Sequence, residues 1–163
     1  MQTFNLSANI ENGFAKGMQY IVTPNAQNVV NNLINGFKTG IHSYTIIGTY
    51  GTGKSSFLLA LEADLDKKNR SKYLLNPRLL SECAEFEILN IVGDYTDLSV
   101  LLSRKLNREG TSNSVLDELK VYYQRLAKEN KFLLLVIDEF GKILEHAAKN
   151  NPEQELYFLQ KLA

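Results

Sequence analysis

The sequence predicts an α/β fold of three layers, α/β/α, around a mostly parallel sheet. Three observations carry that expectation. Apolar, β-prone runs at residues 43–47, 86–92 and 132–137 alternate with stretches of helical spacing, and parallel strands need helical crossovers between them. The run Phe132-Leu133-Leu134-Leu135-Val136-Ile137 is uninterrupted, the pattern of a central strand covered on both faces. A glycine-rich stretch at residues 48–56 joins the first run to a helical pattern, giving the order strand, loop, helix.

Taken in order, residues 1–22 mix Asn, Ser and Gly with isolated aromatics and read as an extended lead-in over the surface. Thr23-Pro24 then offers an N-cap followed by proline at the first helical position, and Ala26, Val29, Val30, Leu33, Ile34 and Phe37 recur at helical spacing up to a stop at Gly40. Ser43 to Ile47 reads as a strand. Phe57, Leu58, Leu61 and Leu65 mark a helix beginning near Lys54. Residues 67–85 are polar and then leucine-rich around Pro77, which predicts a loop with a short helical turn. A second strand at 86–92 ends at Gly93, and Leu98, Leu101, Leu102 and Leu106 give a helix over 97–108. After a turn at Gly110, Val115, Leu116, Leu119, Tyr122, Tyr123 and Leu126 form another amphipathic stripe. The apolar strand ends in Asp138-Glu139; Ile143, Leu144 and Ala147 predict a further helix, and Asn151-Pro152 opens the last one.

Composition narrows the class. With 163 residues, 44% hydrophobic and 22% charged, the chain can bury a real core, so disorder is not the expectation. Eighteen basic and eighteen acidic residues give a formal net charge of +0, which supplies no global field for nucleic acid or an anionic membrane. The single Cys83 excludes an internal disulfide and fits a small buried side chain in a reducing compartment. No signal region follows Met1 and the longest aliphatic run is too short to span a bilayer, so a cytoplasmic location is expected. His42 and His146 are isolated, with no Cys or acidic cluster at ligand spacing, and predict no zinc site.

Gly48-Thr49-Tyr50-Gly51-Thr52-Gly53-Lys54-Ser55-Ser56 contains the full G-x-x-x-x-G-K-[ST] loop, the Walker A form, which predicts binding of a nucleoside triphosphate. A triphosphate is highly anionic; inward-turned backbone N–H groups and the positive end of a helix dipole meet that charge, and glycines let the backbone approach. Amides of Gly51 to Ser55 are expected to cradle the phosphates, Lys54 to reach the β and γ oxygens and Ser55 to ligate Mg²⁺, with Ser56 a weaker candidate for the α-phosphate. Asp138-Glu139, at the carboxyl end of an apolar strand, stands where open parallel sheets place ligand chemistry. This Walker B-like pair divides its work: Asp138 is expected to hold Mg²⁺ and Glu139 to orient or deprotonate the attacking water. The simpler alternative is a solvated acidic strand end.

The run at residues 48–56 together with Phe132 to Glu139 resembles the additional-strand (ASCE) division of P-loop ATPases, which includes AAA+ and STAND proteins. Within it the chain looks most like initiator ATPases related to the origin recognition complex, where a Pro-led helix precedes the loop. Tyr20-Ile21-Val22-Thr23-Pro24 falls where that family contacts adenine, so the resemblance implies ATP as nucleotide and Tyr20 and Pro24 as contacts. The run from Ile137 to Ala148 is also similar to ATP-binding proteins of bacterial anti-phage systems. Family members continue with a sensor strand, a further strand and a helical lid. The resemblance therefore implies that residues 23–163 are the N-terminal part of a P-loop ATPase domain, truncated after the Walker B strand and its following helices, with the remaining chain or a partner covering the sheet.

The resulting expectation is an Mg²⁺-dependent ATPase that couples hydrolysis to a conformational or assembly change. The alternative is a module that binds ATP as a structural ligand or switch without turnover. A small-molecule phosphotransferase fits less well, since no acceptor pocket or basic lid is legible. DNA enters as a partner by family analogy alone. Arg104 and Arg108 read as solvated helix charges rather than as a trans-acting finger.

Overall fold

The computed structural model describes residues 10–13, 20–66, 73–75, 85–106 and 112–163. The expected turn around Pro77, Cys83, Arg108 and the turn at Gly110 lie outside them, as does most of the lead-in. The chain forms two compact units, 1–85 and 86–163, each with its own apolar core.

In the first unit, helix α1 spans Pro24–Lys38 and helix α2 spans Lys54–Leu65. α1 starts as its sequence dictates: the Thr23 hydroxyl accepts the Ala26 N–H at 3.2 Å, and Pro24 sits where no N–H is needed. Ala26 and Val30 from α1 meet Phe57 and Ala60 from α2, with Leu74 and Leu75 completing the core. The lead-in is more than a surface strap, because Ile10–Asn12 forms a single 3-10 turn against α2 and Ile10 is buried.

Residues 43–47, expected as a strand, are not one. β-propensity reflects fit to a pleated, paired surface, and the described residues of this unit supply no neighbouring strand for a ladder. A local contact takes over: the Tyr44 hydroxyl lies 2.6 Å from the Ile41 carbonyl and 3.1 Å from that of Leu33 on α1. Ile47 is left 91% exposed.

The second unit holds strands β1, Glu85–Val92, and β2, Lys131–Asp138, paired with each other. Phe86 stacks on Phe132 near the strand starts, with ring centroids 5.7 Å apart, and the Gly93 N–H donates to the Asp138 carbonyl at 2.8 Å just past their ends. The pair is therefore parallel. Helices α3, Leu98–Lys105, and α4, Ser112–Lys128, make the crossover; α5, Phe140–Lys149, and α6, Pro152–Leu162, follow β2. Ile91, Leu98, Leu102, Val115, Ile143 and Phe158 form the core.

One expectation changes here. The described sheet has two strands where three were read. Within β2 only Val136 is buried and Phe132 is exposed; among the described residues β1 is its one paired strand and α4 the principal helix against it. The unbroken apolar run is a strand as expected, and among the described residues its side chains are mostly half-buried.

Candidate functional site

The glycine loop behaves as a backbone cradle. Gly51 and Gly53 take left-handed angles, φ +78° and +83°, which side-chain-bearing residues rarely adopt. That geometry turns the chain into α2 at Lys54, with Gly53 in the N-cap position. A glycine cap has no side chain with which to bond the first turn of α2. A helix start lacks internal acceptors for its first N–H groups and carries partial positive charge, so the loop ends in an anion-favouring feature.

Lys54 folds back over this loop. Its ammonium donates to the carbonyls of Gly48 at 2.8 Å and Thr49 at 2.9 Å, and the Thr52 hydroxyl donates to the Thr49 carbonyl at 2.8 Å. The cation is therefore held at the loop. Tyr50 projects at the tip, 95% exposed. Ser55 and Ser56 lie in the first turn of α2, half-buried. Tyr20 and Ile46, on either side of α1 in sequence, pack against the same core; Tyr20 meets Tyr73 edge-on at 6.3 Å, and burial pushes its phenol up. Pro24 stands at the start of α1.

In the second unit, Asp138 closes β2 and Glu139 turns the chain into α5 with φ +53°, a left-handed angle uncommon for this residue type. The Asp138 carboxylate accepts the Glu139 N–H at 2.9 Å. Gly93 is built against this turn, since a Cβ there would overlap the Glu139 carbonyl and press on that of Asp138. Glu139 pairs with Lys142 at 2.5 Å, and that hydrogen bond, with the charge behind it, holds the Lys142 ammonium above its usual range.

Within the first unit the structure brings Lys54 onto Gly48 and Thr49, and within the second it sets Asp138 beside Glu139. Hydroxyl and carboxylate oxygens such as those of Ser55 and Asp138 suit Mg²⁺, which takes few protein ligands alongside phosphate oxygens. Among the described residues no group of three or more His, Cys, Asp or Glu side chains could hold a metal by itself. His42 lies edge-on to Phe37 and Arg104 is exposed on α3.

Several residues that shape these elements were not singled out from sequence. Lys142 was legible in principle, because a basic residue three positions after Glu139 on a helix faces it. Gly93 read only as a strand end, and its clash with a segment 45 residues away has no local signature. Asp64 is an acid within the apolar stripe of α2; its carboxylate, 0% exposed, accepts the N–H groups of Tyr73, Leu74 and Leu75 at 2.6–2.7 Å.

No helix among the described residues is long and apolar enough to cross a membrane. Comparison of the chain with protein-family models, with curated proteins and with solved structures finds no match.

Proposed function

We propose that the chain belongs to a P-loop ATPase of the additional-strand division, with a three-layer α/β/α domain, and that it binds and hydrolyses Mg²⁺-ATP to drive a conformational or assembly change. The observation that carries the reading is the loop itself: two left-handed glycines, a helix start with glycine in the cap position and a lysine held over the loop carbonyls occur in one motif. On this reading the amides of Gly51 to Ser55 bind the phosphates and Lys54 exchanges its carbonyl partners for phosphate oxygens. Ser55 on the loop would be a Mg²⁺ ligand, and Asp138 at the end of β2 a candidate ligand by the family resemblance; the ion would supply neutralisation of phosphate charge. Glu139 orients or deprotonates the attacking water. Tyr20 and Pro24 bound the adenine side, a role that comes from the family resemblance.

The test combines nucleotide binding and turnover. Lys54→Met should lose ATP binding, whereas Glu139→Gln should bind ATP and lose at least about a hundredfold in turnover, the scale of general-base loss. Hydrolysis by Glu139→Gln at the parent rate would refute the role given to Glu139.

A second reading, an ATP-dependent switch without turnover, is favoured by one observation: the Glu139 carboxylate is already engaged by the Lys142 ammonium. Steady hydrolysis that Glu139→Gln removes would dismiss it. Any role in DNA-related or anti-phage functions rests on family analogy.

A further inference from the structure

We infer that Lys142 is a positioning residue for Glu139: its ammonium holds the Glu139 carboxylate toward the first turn of α5 and frees it by passing to Asp94. The inference rests on the role proposed for Glu139 toward the attacking water, and adds a control on when that carboxylate is free.

Lys142 grips Glu139 at both ends. Its backbone N–H donates to the Glu139 carbonyl at 3.0 Å, and its ammonium meets Oε2 of the Glu139 carboxylate at 2.5 Å. The first contact belongs to the turn into α5; the second follows from spacing, because residues three apart share a helix face. Two further contacts fix the Glu139 backbone. The Asp138 carboxylate accepts its N–H at 2.9 Å, and Gly93 lies close against its carbonyl. Only the side chain is left with freedom, and Lys142 sets where it lies.

A second carboxylate acts on the same ammonium. Glu139 is its main partner, and the charge of Asp94, in the segment just past β1, works on it in the same sense. That segment is strapped to α5, since the Tyr95 hydroxyl donates to the Glu145 carboxylate at 3.1 Å, three residues beyond Lys142. The Tyr95 N–H donates to Oδ1 of Asp94 at 2.8 Å, and a carboxylate has acceptor sites for more than one donor, so Asp94 keeps room for the ammonium.

The cation thus has two acceptors, and exchanging one for the other never leaves it unpaired. Both members of the Glu139–Lys142 pair are 42% exposed, so the contact is screened and its net worth small. A weak hold suits a control element: it biases the Glu139 side chain by a modest factor and yields to any ligand that favours the released arrangement.

The test uses the full chain with Mg²⁺ and ATP and follows phosphate release across ATP concentrations. Lys142→Met should raise kcat about two- to fivefold, the factor a screened pair supplies, with little change in KM. Lys142→Arg, which keeps a carboxylate-binding cation, should bring kcat back toward the parent value. Asp94→Asn weakens the alternative acceptor, so it should slow the parent and have no effect on Lys142→Met, a coupling that a purely structural role would not produce. A kcat for Lys142→Met equal to or below that of the parent, or an Asp94→Asn effect of the same size in both backgrounds, would overturn the inference while leaving the ATPase reading in place. Absence of phosphate release from both the parent and Lys142→Met would overturn the two together.

Discussion

Replacing Asp64 by asparagine should cost the protein about 2–4 kcal/mol, and replacing it by alanine still more. The carboxylate is fully buried on α2; Oδ1 accepts the Tyr73 N–H at 2.7 Å, while Oδ2 accepts those of Leu74 at 2.6 Å and Leu75 at 2.7 Å. An asparagine oriented to keep its carbonyl toward Leu74 and Leu75 turns an NH₂ group on the Tyr73 N–H, so one bond is lost and two donors face each other. The two bonds that survive fall from charge-assisted to neutral strength, a difference of roughly 1 kcal/mol each. Alanine strands all three donors, at about 1–3 kcal/mol apiece, which sums to roughly 3–9 kcal/mol. That is comparable with the whole stability of a typical domain, about 5–15 kcal/mol, so the alanine variant should be marginally folded or unfolded at 25 °C. Urea unfolding followed by circular dichroism measures both. An asparagine variant within about 0.5 kcal/mol of the parent, or an alanine variant no worse than asparagine, would refute the assignment of Asp64 as the anchor of residues 73–75.

Other perturbations have defined outcomes. Gly93→Ala forces the Glu139 carbonyl to move, so it should cost about 1–3 kcal/mol in urea unfolding and, under the proposed function, lower turnover while ATP binding persists. Glu139→Gly relieves a left-handed angle at a residue that pays for it, so stability should rise by up to about 1 kcal/mol while hydrolysis disappears; a less stable variant would contradict the strain. Tyr44→Phe removes the hydroxyl that reaches the Ile41 and Leu33 carbonyls and should cost about 0.5–1.5 kcal/mol, with faster amide exchange at the end of α1. Glu155→Ala should be worse than Glu155→Gln at neutral pH, because glutamine keeps an oxygen for the Leu98 N–H and alanine leaves that donor buried, a gap of about 1–3 kcal/mol in urea unfolding.

What the sequence disclosed follows from how far apart the deciding atoms lie. Both proline-led helices were readable because cap and helix start are adjacent: Thr23 bonds Ala26 and Asn151 bonds Gln154, each three residues on. The order of β1, its crossover helices and β2 was readable from periodicity, as was the placement of Asp138 at a strand end. The state of residues 43–47 was not, because a strand is a relation to a neighbour and no property of five residues supplies one. The same reason hides the Asp64 anchor and the Glu155 cap, whose partners are 9 to 11 and 57 residues away. Within the loop, the motif disclosed which residues matter, while the folded-back Lys54 had to be seen.

That lysine alters how loss-of-function experiments at the loop should be interpreted. Its ammonium splints two successive carbonyls, Gly48 and Thr49, and so helps to hold the backbone shape independently of any charge it lends to an anion. Shortening the side chain removes a counter-ion and a brace together, and weakened binding would follow from either. Arginine keeps the charge but carries a planar, wider head that fits two converging carbonyls differently. Comparing Lys54→Arg with Lys54→Met, and following loop amide exchange in each without nucleotide, separates the brace from the counter-ion.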